Sequence, residues 1–580
     1  MRLALLSILA TLATLGSAQA PRLILDPSTS NNELSSFGNS QLNTELTLRL
    51  IQEAERTVSR PLEDYSLAQN SLLTTSRDVL ANVMNTSLAY RVTGNLKFRD
   101  YARRQLLESA AYPNWAPNHF LGTAELTLAM AIGYDWLGAT LSAQDREIIR
   151  KAIVEKGLTP GLDQFKNRAD WTRRTTNWSQ VCASSLAMGA IAIQKDEKQV
   201  AARVLNLAVP CVKRSVSEYK GGGIPSEGPV YWRYGMAFHA MLNRTMVNQF
   251  GKFGSVMNDK AYAQTAWYPA YILSPTGKNF NFSDSSDQFV PTPATLELAR
   301  QTNQPQIAAW TTARVHELLQ DSQTWTEEHR LSALFLAWAK DSAGEEASDL
   351  PLDRLFDGET DVVTMRGSWS DPETSFVAIK GGKNGVPHGH LDLGSFVFDA
   401  LGERWALDLG KDSYDLPGYF SSQRYSYYRT GTASQNTLFF GTNQKTNGSS
   451  TFKTKLNTNQ PSASLDISRA QSSAQSTVRT FDFLNRSDLM ITDSVKGATT
   501  NWRWQMVTGA WITIEGKKAI LQQNRKTLIA EIVSSQGTFS LGSTRPPLPI
   551  EDQNEGTQML CVDMPKGTSE LKIILRPMPR

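Results

Sequence analysis

Cysteine and histidine are the scarce residues of this 580-residue chain, which has only three of the first and six of the second. Cys182, Cys211 and Cys561 are too few and too scattered for a disulfide framework, and no Cys-x-x-Cys spacing supports zinc or dithiol redox work. A Cys182 to Cys211 bridge and buried free thiols are the two readings left. An excess of one charge is also missing. Lys and Arg number 59 against 56 Asp and Glu, a net +3 that by itself excludes neither an acidic polymer nor a neutral ligand. Beyond the N-terminus no run of eighteen apolar residues occurs, so no membrane insertion is expected, and nothing marks a nucleic-acid partner.

What is present begins with MRLALLSILATLATLGSAQA, which has one basic residue, an apolar run from Leu3 to Leu15 and then small residues. This is the pattern of a secretory signal, too short to span a bilayer. Gly16-Ser17-Ala18 fits the small-x-small rule, whereas a cut after Ala20 would place Pro21 next to it. Residues 1–18 are therefore expected to be removed and the protein to be secreted or periplasmic.

The length exceeds what one hydrophobic core fills, and two large domains are expected. Up to Trp338 apolar residues recur at three and four spacing, as in 122–138, 142–158 and 177–194. Ser142, three residues before Asp145, offers an N-cap, and Gly157 a stop for that helix. Short Gly- and Pro-containing breaks predict stacked helix pairs. After the charged connector 340–355 the period switches to two, in TSFVAIKGG, SFVFDALGERWALDLG, NTLFFGTN, RTFDFLNRSDLMITDSVKG, WITIEGKKAILQQ and LKIILRP. The predicted order is α then β, a helical domain over 19–345 and an antiparallel β domain over 346–580, with a cleft at their interface.

Three clusters could carry chemistry. In RRTTNWSQVC, Arg173, Arg174, Asn177 and Trp178 stand at a helix start, where free N–H groups and the dipole favour an anion; equally, Asn177 could be an N-cap and Trp178 a core anchor. In GGGIPSEGPVYWRYGMAFH, Glu227, Tyr231, Arg233, Tyr234 and His239 crowd after a glycine run. Tyr231 and Tyr234 share a helix face, and simple packing between helices is the competing account. In VPHGHLDLGSF, His388 and His390 stand two residues apart before a strand, with Gly389 expected to bend the chain and send them to different environments. Asp408 could join His390 in a zinc site or in a plain hydrogen bond.

Together NWSQVC, EGPVYWRYG, HGHLDLGSFVFDALGERWALDLG and QNTL, with YDWL upstream, resemble the heparinase II/III-like family of polysaccharide lyases, in order and over most of the chain. The resemblance implies an incomplete α/α toroid of helical hairpins followed by an antiparallel β-sandwich domain, with an acidic polysaccharide bound between them and cut at uronate residues by β-elimination. It gives Asn177 and His388 the neutralisation of the uronate carboxylate and Tyr231 the work of base and acid, with Tyr234 in reserve. Arg173, Arg174, Trp178, Glu227 and Arg233 become substrate contacts. It also implies a structural zinc on His390 and Asp408. Related sequences carry a histidine as third ligand where this chain has Gln435, so zinc is expected to be weak or absent. No organic cofactor is implied. The competing functions are a silent carbohydrate-binding protein of the same fold and a toroid-fold glycoside hydrolase using Glu227 with Asp170.

Overall fold

The computed structural model describes residues 22–26, 41–68, 71–320, 329–339 and 350–579. The expected signal segment and most of the connector lie outside them. By its internal contacts the chain forms two units. The first comprises residues up to 217, 233–263 and 290–346; the second comprises 218–232, 264–289 and 347–580. Two stretches from the helical half of the sequence thus belong with the β half.

The first unit is built of helices whose ends follow from local chemistry. Leu73–Thr93 ends at Gly94, whose left-handed backbone (φ 69°) lets its N–H close on the Tyr90 carbonyl. Asn95 then caps Leu96–Ala111 by accepting from the Lys97 amide at 3.1 Å. Ser142 caps the next helix as expected, accepting from the Asp145 amide at 3.0 Å. Phe120–Leu137 and Asn177–Ile193 are buried on nearly every face and pack on each other, which explains their uniformly apolar sequence. The three cysteines are buried free thiols, so no bridge joins Cys182 to Cys211.

Gly157 does not end its helix. Ala143–Ala152 continues through a π-helical turn, Ile153–Leu158, into Thr159–Lys166. A Cβ on Gly157 would lie 2.5 Å from Thr127 Oγ1, so this glycine serves close helix packing rather than termination.

In the second unit the period-two segments form three antiparallel sheets among the described residues. A five-stranded meander runs in sequence from Asp353–Phe356 to Glu403–Ala406. A four-stranded sheet holds Leu438–Phe439, Trp502–Thr508, Phe539–Gly542 and Gln558–Met564. The eight-stranded sheet starts at the edge strand Trp511–Glu515 and passes through Lys518–Gln523, Lys526–Ile532 and Gly567–Met578 to its other half. Strict alternation of burial along Ser476–Leu484 shows one face of that sheet in the core. Phe398, Trp405, Phe481, Leu489, Trp504, Leu560 and Ile573, drawn from all three sheets, form one apolar cluster. Asn436 ties strands together at its margin: its amide nitrogen donates to the carbonyls of Phe396 and Leu407 (2.8 and 2.9 Å), and its oxygen accepts from the Val507 amide at 2.7 Å.

Candidate functional site

The His-Gly-His segment precedes the strand Phe396–Ala400 without joining it. The unusual backbone is that of His388, whose φ of 57° is left-handed and strained for a residue with a β-carbon. Gly389 is needed for room, since a Cβ there would meet Val386 Cγ2 at 2.7 Å. His388 is held in place from two sides. Its carbonyl accepts from the Asp284 amide (3.1 Å) and from Arg424 Nη2 (2.9 Å), while Arg424 Nε donates to the Gly389 carbonyl at 3.1 Å.

Asp284 is the hub of the site. Its Oδ2 lies 2.9 Å from His388 Nδ1; its Oδ1 lies 3.0 Å from His390 Nε2 and accepts from Tyr419 Oη at 2.9 Å and Arg424 Nη2 at 2.7 Å. Burial alone would raise this carboxyl's pKa. The hydrogen bonds from the two imidazoles and the charge of Arg424 outweigh it and hold the group well below the usual carboxylate range. Burial, and then the same carboxylate, push the Tyr419 hydroxyl up.

The two histidines therefore have different surroundings, though one carboxylate holds both. The His390 side chain is fully buried, while that of His388 keeps 14% of its surface exposed. Tyr231 stacks on the His388 ring, with centroids 3.9 Å apart and planes inclined by 20°. Its hydroxyl shares a short hydrogen bond with that of Tyr414, which also lies 3.3 Å from Asp284 Oδ2. Burial, then Tyr231 and Asp284, push the Tyr414 hydroxyl far above its ordinary value, so Tyr414 keeps its proton. Glu227 Oε1 stands 3.8 Å from His388 Nε2, and the exposed ring of Phe420 meets His388 edge-on.

The second unit thus unites Tyr231, Glu227, His388 and His390. Asp284, Tyr414, Tyr419 and Arg424 were not singled out in the sequence; the dense aromatics of DSYDLPGYFSSQRYSYY were a signal for three of them. The remaining candidates for catalysis and substrate binding belong to the first unit, and the metal candidates Asp408 and Gln435 to the second. Asn177 is buried as the first residue of its helix, and Thr176 occupies the cap position, so Asn177 is not an N-cap. Trp178 is half-buried, edge-on to His119 at 5.0 Å. Arg173 and Arg174 are exposed and pair with Asp170 at 3.6 and 2.5 Å. Arg233 is half-buried. Tyr234 donates to the fully buried Glu125 at 2.6 Å, with Arg77 and Arg330 over its ring. Burial and then Glu125 push its hydroxyl pKa far up, the opposite of what a base needs.

For a metal, the donors are partial. His390 Nδ1 and Asp408 Oδ2 are buried without hydrogen-bond partners, as ligand atoms would be. Asp408 is pushed up to about 6 by burial, against the pull of His390. His390 bonds to Asp284 and not to Asp408, contrary to the simple hydrogen-bond reading. Gln435 turns its amide nitrogen to the Arg429 carbonyl at 2.8 Å. Among the described residues no group of three His, Cys, Asp or Glu could hold an ion.

Residues 364–555, which include both histidines and the tyrosine-rich loop, match the family profile described as Heparinase II/III-like, C-terminal. The second unit carries a heparinase II/III-like domain. The solved structure of heparinase III superposes with a TM-score of 0.63 at 14% identity, covering 99% of this chain and 89% of that one. The heparan sulfate lyase HepC from Pedobacter heparinus gives 0.59 at 12% identity, over 93% and 83%. No curated protein matches the sequence. A helical region followed by antiparallel sheets is the heparinase fold, and the resemblance read from the motifs stands. The profile begins at residue 364 and so leaves out Tyr231, Glu227 and Asp284, which the chain brings to the heparinase II/III-like domain from upstream.

Proposed function

We propose that the protein is a polysaccharide lyase that cuts uronate-containing acidic polysaccharide, a glycosaminoglycan or an alginate-like chain, by β-elimination. The observation that carries this reading is the stacked pair of Tyr231 and His388, with the tyrosine hydroxyl bonded to Tyr414 and the imidazole anchored by Asp284. Elimination needs the uronate carboxylate neutralised, the C5 proton removed and the O4 leaving group protonated. With Nδ1–H donated to Asp284, His388 would serve the substrate carboxylate as an imidazolium, whose Nε2–H donates to it, a role that the resemblance gives also to Asn177.

Tyr231, as phenolate, takes the C5 proton. The C5 electron pair forms the C4–C5 double bond as the C4–O4 bond breaks, and the Tyr231 hydroxyl returns the proton to O4. Tyr414, which keeps its own proton, donates to the Tyr231 oxygen and so stabilises the phenolate by a charge-assisted hydrogen bond. Hydrolysis is less well supported, because Asp170 is engaged by two surface arginines and Asp284 is saturated with donors. The N-terminal signal pattern supports export, consistent with an extracellular polymer. Incubation with a panel of uronate polymers, followed by ultraviolet absorbance of the unsaturated uronate, tests the reading. Cleavage without that absorbance would refute elimination.

Tyr414→Phe is expected to lower kcat about ten- to a hundredfold with little change in KM, because the lost hydrogen bond is strongest to the phenolate. The pH at which kcat rises should also move upward. An unchanged pH profile would remove Tyr414 from this role.

Zinc, if bound, would be held by His390 and Asp408 with the Gln435 amide as a poor third ligand, bracing the loop from inside. Elemental analysis should find it substoichiometric, and Gln435→His should raise the occupancy. Equal zinc content in both proteins would show that position 435 is no ligand.

A further inference from the structure

Trp511 is 68% exposed, a rare state for the largest apolar side chain, and it lies on the edge strand of the eight-stranded sheet. Its neighbour Ile512 points into the core, so Trp511 stands on the opposite face. The strand register sets Trp511 against Gln522, and Gln522 against Thr527, which puts the three side chains in a row across one face. Beside that row is the turn Asn524-Arg525, both residues left-handed, joining the paired Gln523 and Lys526. Asn524 and Lys526 are engaged with Glu403 and Glu373. The side chains of Trp511, Gln522 and Arg525 have no hydrogen-bond, ion-pair or ring partner among the described residues.

We infer that this corner of the β domain is a second polysaccharide-binding surface, separate from the Tyr231 and His388 site. The apolar face of a sugar ring would lie on the indole, with the Gln522 amide and Thr527 hydroxyl meeting its hydroxyl groups and Arg525 its carboxylate or sulfate. The chemistry favours a sugar over a protein partner. An exposed indole beside one amide, one hydroxyl and the Arg525 cation, with Met578 continuing the row beyond Thr527, matches a pyranose with an acidic substituent, while a stable protein interface needs about 1,000 Å² of well-packed surface or more. The choice of an acidic chain rests on the lyase reading; the aromatic platform does not.

The test measures affinity for polymeric heparan sulfate and alginate, with dextran as the neutral control, in a Tyr231→Phe background so that no chain is cut. Trp511→Ala should weaken binding of one acidic polymer about five- to tenfold. Trp511→Phe should keep most of the affinity, and Arg525→Ala should reduce its salt dependence. With Tyr231 intact, Trp511→Ala should leave kcat on a tetrasaccharide unchanged and raise KM on the polymer. Binding that depends on Trp511 without any elimination product would support this surface while refuting the lyase. Elimination with polymer affinity indifferent to Trp511 would overturn the surface alone. An oligomer that dissociates in Trp511→Ala with polymer affinity unchanged would also overturn it, giving the face to a second copy of the chain.

Discussion

Tyr231→Phe is expected to reduce kcat on the cognate uronate polymer by about 10²–10⁴-fold while KM stays close to that of the wild type. Only the hydroxyl is removed, and the phenyl ring retains the stacking on His388 that helps to fix both rings. Substrate contacts made elsewhere are untouched, so binding should survive. The size of the loss follows from the two proton transfers assigned to one oxygen: without it neither C5 deprotonation nor O4 protonation has a protein group in Tyr231's position. The control is Tyr234→Phe. Tyr234 donates to buried Glu125 and its proton is held there, so its loss should affect stability more than rate. Near-normal turnover in Tyr231→Phe would remove Tyr231 from both proton transfers.

The second large effect falls on stability. Asp284→Asn should destabilise the folded state by about 3–5 kcal/mol, because it leaves the Arg424 cation buried without its counter-charge. Asparagine keeps the shape of the side chain, so packing is not what is lost. Its amide nitrogen would also face an Arg424, Tyr419 or imidazole donor where an acceptor stood. Denaturant unfolding measures the change, and a cycle with Arg424→Met isolates the pair. If Asp284→Asn were as destabilising in the Arg424→Met background as in the wild type, the ion pair would not be the cause. Activity should fall with stability, since the carboxylate that orients His388 is gone.

Much of this architecture could be read before the fold was known, and the parts that could not share a physical cause. The switch of apolar period near residue 350 located the change from helix to sheet, because periodicity records which face of each element is buried. His388 and Tyr231 were singled out through the family motifs around them, and the structure stacks their rings. Asp284 was not, because NFSDSSD looks like an ordinary polar turn and its meaning comes from partners 104 and 106 residues away. Gly157 was misread for the same reason: Thr127, across the helix interface, decides its role. A bend was expected at Gly389 because glycine permits it, yet the left-handed backbone is that of His388, where Asp284 and Arg424 hold it from distant segments.

The discontinuity of the second unit bears on how such proteins can be divided and recombined. A gene fragment starting at the connector would encode every strand and both histidines of the heparinase II/III-like domain, and would resemble a self-sufficient module. It would lack Tyr231 and Asp284. Arg424 and His390 would be left without their common carboxylate, and His388 without the tyrosine stacked on it. A fragment that keeps the site therefore has to carry residues 218–232 and 264–289 as well.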